Sequence, residues 1–352
     1  MKSKRSDLDQ LRTDIETLES CSNLIATSSP NKARTAIIIL DHFAEILLFR
    51  ETQNILERDH SFRWVMRPKF SLSDHARVSK SFHAKVQLVA DQTTILKTID
   101  EAVLFIAHSY RNAIYHRDTH NDRTTVLLAK ITLRTILRLF MLFGSQMSTG
   151  GTFDSKLLWF SPYDSKALKS CWLDFVQVRR GVVRALAPGA HISFRASRCI
   201  LIEDIQIRAE ALRKGLGNIF GDELPWVDDL FKHVQFEYEK KEKLNELSLK
   251  FRETTYKIHT DSPPTKEEYF KAESDYQALR KKEFDFFRPT YTIDAILALS
   301  KLSNPLFQAS DLRELLIAYK DADDAILKVE HYFDMAHEEF DKAVEMEIDA
   351  GR

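Results

Sequence analysis

Cysteine is scarce in this chain of 352 residues: Cys21, Cys171 and Cys199 are the three thiols, and they lie far apart. An odd number at such spacing supports neither a disulfide framework nor a Cys-based zinc site, and a cytoplasmic setting follows most simply. Glycine and proline are nearly as rare, nine of each, so long disordered or low-complexity tracts are not expected. Neither G-x-G-x-x-G nor G-x-x-x-x-G-K-[ST] occurs, which sets aside the nucleotide-fold enzymes built on those loops. Uninterrupted apolar runs are missing too. Asp41 and Glu45 break "TAIIILDHFAEILLF", and Lys130, Arg134 and Arg138 break "TVLLAKITLRTILRLFMLFG", so neither reads as a membrane span. The start, "MKSKRSDLDQLRTDIETL", carries charges but no apolar core of a signal peptide.

What is present is the material of an ordered helical protein, 44% hydrophobic and 29% charged. Its net charge of -1 hides an imbalance. Residues 1–150 hold 21 Lys+Arg against 16 Asp+Glu, the remainder 30 against 36, and residues 321–352 alone hold 11 Asp+Glu against 3 Lys+Arg. A basic first half suits an anionic partner, although the excess is too small to establish one. The acidic last helix reads most simply as a solvated face or partner surface, with shielding of a basic cleft as the sharper alternative.

Apolar spacing of three and four dominates. Leu8, Leu11, Ile15 and Leu18 make one face of a first helix. Ser29 and Pro30 stand as cap and first-turn residue of a long second one. Ser73 or Asp74 is expected to cap a single helix through "HARVSKSFHAKVQLVADQ", and Val103, Ile106, Tyr110, Ala113 and Ile114 mark the next. Another runs from about Thr124 to Gln146. The glycine pair in "SQMSTGGTF" is the best linker, dividing a bundle over 1–149 from a second helical region over 150–352. Beyond it, "DSKALKSCWLDFVQVRRGVVRAL" reads as helical and "LAPGAHISF" as a turn. "FRASRCILIEDIQIRAEALRKGL" reads as a short strand or another helix. Two long charged helices and a final one from about Asp311 complete an all-α class.

Chemistry concentrates in "HSYRNAIYHRDTH", residues 108–120, with three His and two Arg in thirteen positions. Arg111 offers a permanent planar charge suited to phosphate, and His116 a side chain that titrates near working pH. Together they suit phosphodiester chemistry: proton transfer by the imidazole and neutralisation of developing charge by the guanidinium. Five positions on a helix rotate by about 140°, so Arg111 and His116 do not share a face, whereas Asn112 and His116 do. The pair needs a kink, a helix end or a second subunit, and "RDTHND" directly after His116 marks a helix end.

The run "RNAIYH" resembles the signature of HEPN ribonucleases: Arg, a polar residue directly after it, then His. "ARTAIIILDHFAEILL" resembles the first long core helix of such domains, where an acidic residue sits among apolar ones; Glu45 or Asp41 occupies that place. The resemblance covers roughly residues 30–145. It implies an N-terminal antiparallel helical bundle and a metal-independent endoribonuclease, without cofactor, in which the ribose 2′-OH attacks the adjacent phosphate to leave a 2′,3′-cyclic phosphate. By that resemblance His116 acts as general base or acid, Arg111 stabilises the transition state, and Asn112 orients His116 or contacts phosphate. It further implies a homodimer whose two motifs line one cleft, and a setting in prokaryotic defence or toxin-like growth arrest. Some members follow the motif His with one residue and then Tyr, a site of nucleotide addition. Asp118 stands there, so that regulation is not expected.

For the RNA partner, Arg117 and Arg123 lie nearest the motif, and Lys130 and Arg134 belong to a stripe with Arg138 that could track a phosphate backbone. Tyr115 and Tyr110 could stack on bases, though Tyr110 fits the apolar stripe. The bland readings are a helix-end cation and His answering the helix dipole, and a solvated basic face. A metal site through His116 and His120, helped by His108, Asp118 or Asp122, lacks assured convergence of three or four ligands. From a different class, a catalytically silent helical adaptor could bind a protein or nucleotide through the same cleft, and the C-terminal helices could serve a regulatory protein partner.

Overall fold

The computed structural model describes residues 7–61, 69–116, 121–143, 148–150, 159–164, 172–220, 227–238, 278, 281 and 287–350. The all-α class is confirmed. Among the described residues the one sheet is a pair of three-residue strands, and the rest of the regular structure is helical.

Helix α1 (Asp7–Ala26) opens with Asp7 and Asp9, whose charges favour a helix N-terminus. It buries Leu11, Ile15, Leu18, Cys21 and Ile25, one stripe at steps of three and four. Ser28, at a positive φ of 52°, turns the chain sharply, and α2 (Pro30–Ser61) begins with Pro30 at its first position, where a missing N–H costs nothing. Buried residues cover a broad face of α2 as far as Leu56, because it packs against α1, α4, α5 and α6, while Thr35, His42 and Phe49, seven apart, stay exposed on the opposite side. This central place explains why an ionised residue within it must find partners.

The single helix expected over residues 75–92 is two. Ser71 caps α3 (Leu72–Lys80) in a reciprocal box with Asp74: its hydroxyl accepts from the Asp74 N–H while the Asp74 carboxylate accepts from the Ser71 N–H. Ser81 then ends α3 and caps α4 (Phe82–Gln92) by accepting from the Ala84 N–H at 3.2 Å. Helix α5 (Thr98–His116) starts where the Asp100 carboxylate accepts from the Lys97 N–H at 2.8 Å. Asn121 caps α6 (Asp122–Leu142) through the Arg123 N–H at 2.9 Å.

Residues 148–150 of the expected linker form strand β1 (Ser148–Gly150), paired antiparallel with β2 (Trp172–Asp174). The helix expected to run through "CWLDFV" is interrupted by β2 at Trp172–Asp174; α7 (Phe175–Leu186) follows it, capped by the Asp174 carboxylate, and residues 165–171 lie outside the described residues. A 3-10 turn at Ala187–Ala190 leads to α8 (Phe194–Phe220), which settles the strand-or-helix alternative for that segment as helix. Gly181 lies so close to the 159–164 turn that a Cβ there would collide with the Tyr163 carbonyl.

By internal contacts the chain forms two units, one of residues 1–204 and 304–321, the other of 205–303 and 322–352. None of the three boundaries coincides with 149/150, since β1 and β2 lie within the first unit. Later elements are α9 (227–238), α10 (Ile293–Leu297), α11 (Asn304–Gln308) and α12 (Leu312–Ala350). In the first unit the Tyr319 hydroxyl donates to buried Asp204 at 2.9 Å. In the second, buried Arg208 pairs with Asp323 and, at 3.1 Å, with Glu330. The Gln235 side-chain amide there donates to the Tyr291 carbonyl at 2.7 Å and accepts from the Tyr291 N–H at 3.0 Å. The long charged helices expected over 224–287 fall largely outside the described residues.

Candidate functional site around Asp41 and Arg111

Asp41 projects from the middle of α2 with 1% of its side chain exposed. A carboxylate so enclosed must be paired to remain ionised at acceptable cost, and α5 supplies the partners. Arg111 donates from one terminal nitrogen to Asp41 Oδ2 at 2.9 Å. The Nδ1 of His108, three residues earlier on the same helix, lies 3.3 Å from both carboxylate oxygens. With Nδ1 facing a carboxylate, the proton belongs on Nδ1 and Nε2 is the nitrogen turned away from Asp41. Arg111 is 31% and His108 20% exposed, so both reach the surface from a buried anchor.

Four rings set the orientation of the imidazoles. His108 stacks on Phe82 with centroids 4.1 Å apart and planes at 3°, while His83 stacks on Phe105 at 4.6 Å and 18°. Each stack joins α4 to α5, and the two imidazoles meet edge to face with centroids 6.3 Å apart. Lys320, from the first turns of α12, holds its ammonium 5.8 Å from the Phe105 ring centroid, a cation–π contact. One turn along α2 from Asp41, Glu45 accepts from buried Lys85 at 2.7 Å. Of the two acids proposed from the sequence, then, Asp41 meets Arg111 and Glu45 pairs with Lys85.

Asn112 is exposed on α5, next to Arg111. The backbone of His116 and Tyr115 belongs to α5, but their side chains, like the whole of Arg117, Asp118 and His120, lie outside the described residues. The basic stripe on α6 divides. Arg134 is exposed and Lys130 half-buried, whereas Arg138 is committed to Asp100, its Nε donating at 3.0 Å. Arg123 pairs with Glu203 at 2.8 Å, both side chains largely in solvent. Tyr110 is core, its hydroxyl hydrogen-bonded to Thr125. Among the described residues no group of three His, Cys, Asp or Glu could hold a metal ion.

His108, in sequence terms an accessory metal ligand at most, is the residue that joins Arg111 on Asp41. Its spacing of three from Arg111 put both on one face of α5. His83 is silent in the sequence, since a lone His next to Phe82 carries no pattern without its partner helix.

A second charged cleft, of about 360 Å³, is lined by Asp14, Arg50 and Arg179 together with Phe140, Phe143 and Phe175. Arg50 grips Asp14 with two nitrogens at 2.6 and 3.1 Å. Burial pushes the Asp14 carboxyl up despite Arg50, and burial likewise lowers the Arg179 guanidinium. Arg50 and Asp14 satisfy each other, and with Arg179 beside them the group reads as a buttress between α1, α2 and α7.

Compared with protein-family models, curated proteins and solved structures, the chain matches none.

Proposed function

We propose that the chain is a metal-independent endoribonuclease centred on Arg111, cleaving RNA by 2′-OH attack to leave 2′,3′-cyclic phosphate ends. The observation that carries the reading is the anchoring of Arg111. A guanidinium fixed by a buried carboxylate on the central helix, yet about one-third open to solvent, is a preorganised cation for charge that develops on phosphate oxygens. An imidazole held by the same carboxylate supports the reading, as a group able to transfer a proton beside the guanidinium. The HEPN-like run "RNAIYH" supports the same chemistry, with His116 contributing to the cleft. A role in defence or growth arrest accords with it, and RNA is the partner.

The test is cleavage of a mixed RNA substrate in excess chelator by wild-type, Arg111→Ala and His116→Ala proteins, with end-group analysis. Cyclic phosphate ends that fall by about 10²-fold or more in Arg111→Ala would support the reading. Absence of cleavage by the wild type would instead favour a binding module.

A further inference from the structure

We propose that His83 and His108 are the proton-transferring pair of this site, acting with Arg111 on one phosphodiester within a single chain. The inference rests on the ribonuclease reading but assigns its acid and base to residues outside the "RNAIYH" run.

The geometry has three parts. First, each imidazole is clamped face-on by a phenylalanine of the other helix, His108 by Phe82 and His83 by Phe105. Stacking occupies the ring faces and fixes the planes, while the nitrogens lie in those planes. Second, His108 Nδ1 is held by Asp41, so Nε2 is its working atom, and Asp41 steadies the imidazolium that forms when Nε2 takes a proton. Third, the rings are 6.3 Å apart and nearly perpendicular, neighbours that are not stacked on each other. In-line displacement at phosphorus needs such a pair, one group near the attacking oxygen and one near the leaving oxygen, each within about 2.6–3.2 Å of its proton's partner in the reacting complex. Arg111, three residues beyond His108 on α5, supplies the charge for the equatorial oxygens.

The step balances. His108 Nε2 takes the proton of the ribose 2′-OH as the 2′-oxygen forms its bond to phosphorus. The bond from phosphorus to the 5′-oxygen breaks, and that oxygen takes a proton from protonated His83. Of the charged groups on the packed elements, Asp41 from α2 faces His108 and holds Arg111 from α5, Lys320 from α12 faces the Phe105 ring that stacks on His83, and Glu45 of α2 pairs with Lys85 of α4 one turn from Asp41.

The same four rings could simply pack α4 onto α5, and two substitutions separate the cases. His83→Phe keeps a ring to stack on Phe105 but cannot carry a proton, and His83 is exposed, so the fold tolerates it. His108→Asn keeps a side-chain N–H for Asp41 and loses Nε2. The experiment measures kcat/KM for a short single-stranded RNA oligonucleotide across pH 4.5 to 9, in excess chelator. It compares the wild type, both variants and His116→Ala, with thermal melts as the check on folding.

A bell-shaped wild-type profile is expected. His83→Phe should lose the alkaline limb and His108→Asn the acid limb, each with a fall of about 10²- to 10⁴-fold carried mainly by kcat. Both variants cleaving with the wild-type profile, while His116→Ala is inactive, would overturn the pair and leave the ribonuclease reading standing. No cleavage by the wild type would remove that reading and the pair with it. Should His108→Asn fail to fold, His83→Phe alone decides.

Discussion

At the scale of single residues, Asp41 does the most with one side chain, since it holds a guanidinium and an imidazole from a position almost without solvent. Asp41→Ala is expected to lower stability by about 1–3 kcal/mol, the cost of leaving charged donors unmatched and less than for a fully buried pair because Arg111 reaches water. Urea midpoints of the two proteins measure this, and equal midpoints would mean that the carboxylate is no structural anchor. The identity of the anchoring acid was not legible in advance. Asp41 and Glu45, four apart, share a face of α2, and only the packing of α4 and α5 separates them, the one to Arg111 and the other to Lys85. Cys21 carries a second residue-scale expectation. Burial pushes its thiol up to about 12 from a usual 9.0, so the unfolded chain releases this proton first as pH rises. Stability from this group is therefore intact below about pH 9 and drains away between 9 and 12. Burial and the neighbouring Glu19 carboxylate raise the Tyr163 phenol in the same sense. At pH 8 a disulfide reagent should label exposed Cys199 rapidly in the native protein and Cys21 only on unfolding. Equal labelling of both would contradict the burial.

At the scale of elements, Ser81 and Gly181 show what periodicity conceals. The apolar spacing runs through "RVSKSFHAKV" without a break, which is why one helix was expected there. What divides it is a hydroxyl that prefers the Ala84 N–H to a place inside a helix. Ser81→Ala should cost about 1 kcal/mol by loss of this cap, read as a shift in the thermal midpoint, with no shift if the α3–α4 corner is held by packing alone. Gly181 matters through contact, because α7 approaches the Tyr163 carbonyl more closely than any Cβ allows. Gly181→Ala should therefore destabilise by about 1–3 kcal/mol as helix or turn gives way, against the gain expected where a helical glycine has room. The glycine pair at 150–151 was legible only as a break. Strand pairing between Ser148–Gly150 and Trp172–Asp174 joins residues more than twenty positions apart, and no local pattern announces it. Helices α1, α2, α5 and α6 were legible because their stripes and starts agree.

At the scale of the whole molecule, the sequence reading placed a division at 149/150, while the chain's contacts group residues 1–204 with 304–321. Long-range returns of the chain are invisible to composition, which at this scale reports only charge. The first unit gathers Asp41, His83, His108, Arg111 and Lys320, the last brought back from more than two hundred residues downstream. The proposal that one chain supplies the acid, the base and the phosphate-facing cation has a kinetic consequence. Cleavage rate per chain should stay constant on dilution through any dimer dissociation, as seen by comparing initial rates with sedimentation over the same concentrations. A rate per chain that falls in proportion to concentration would show instead that two copies complete the cleft, as the family resemblance implies.

The clasp between Gln235 and Tyr291 limits what evolution can write at position 235. Only a primary amide of this length offers one donor and one acceptor to the same backbone residue. Glutamate would turn the donor into a second acceptor facing two carbonyls, asparagine would fall short, and leucine would strand both groups. Slow hydrolysis of this one amide to an acid would thus act as a chemical clock on the second unit, loosening the segment before α10 from α9 with no change in the size or shape of the side chain.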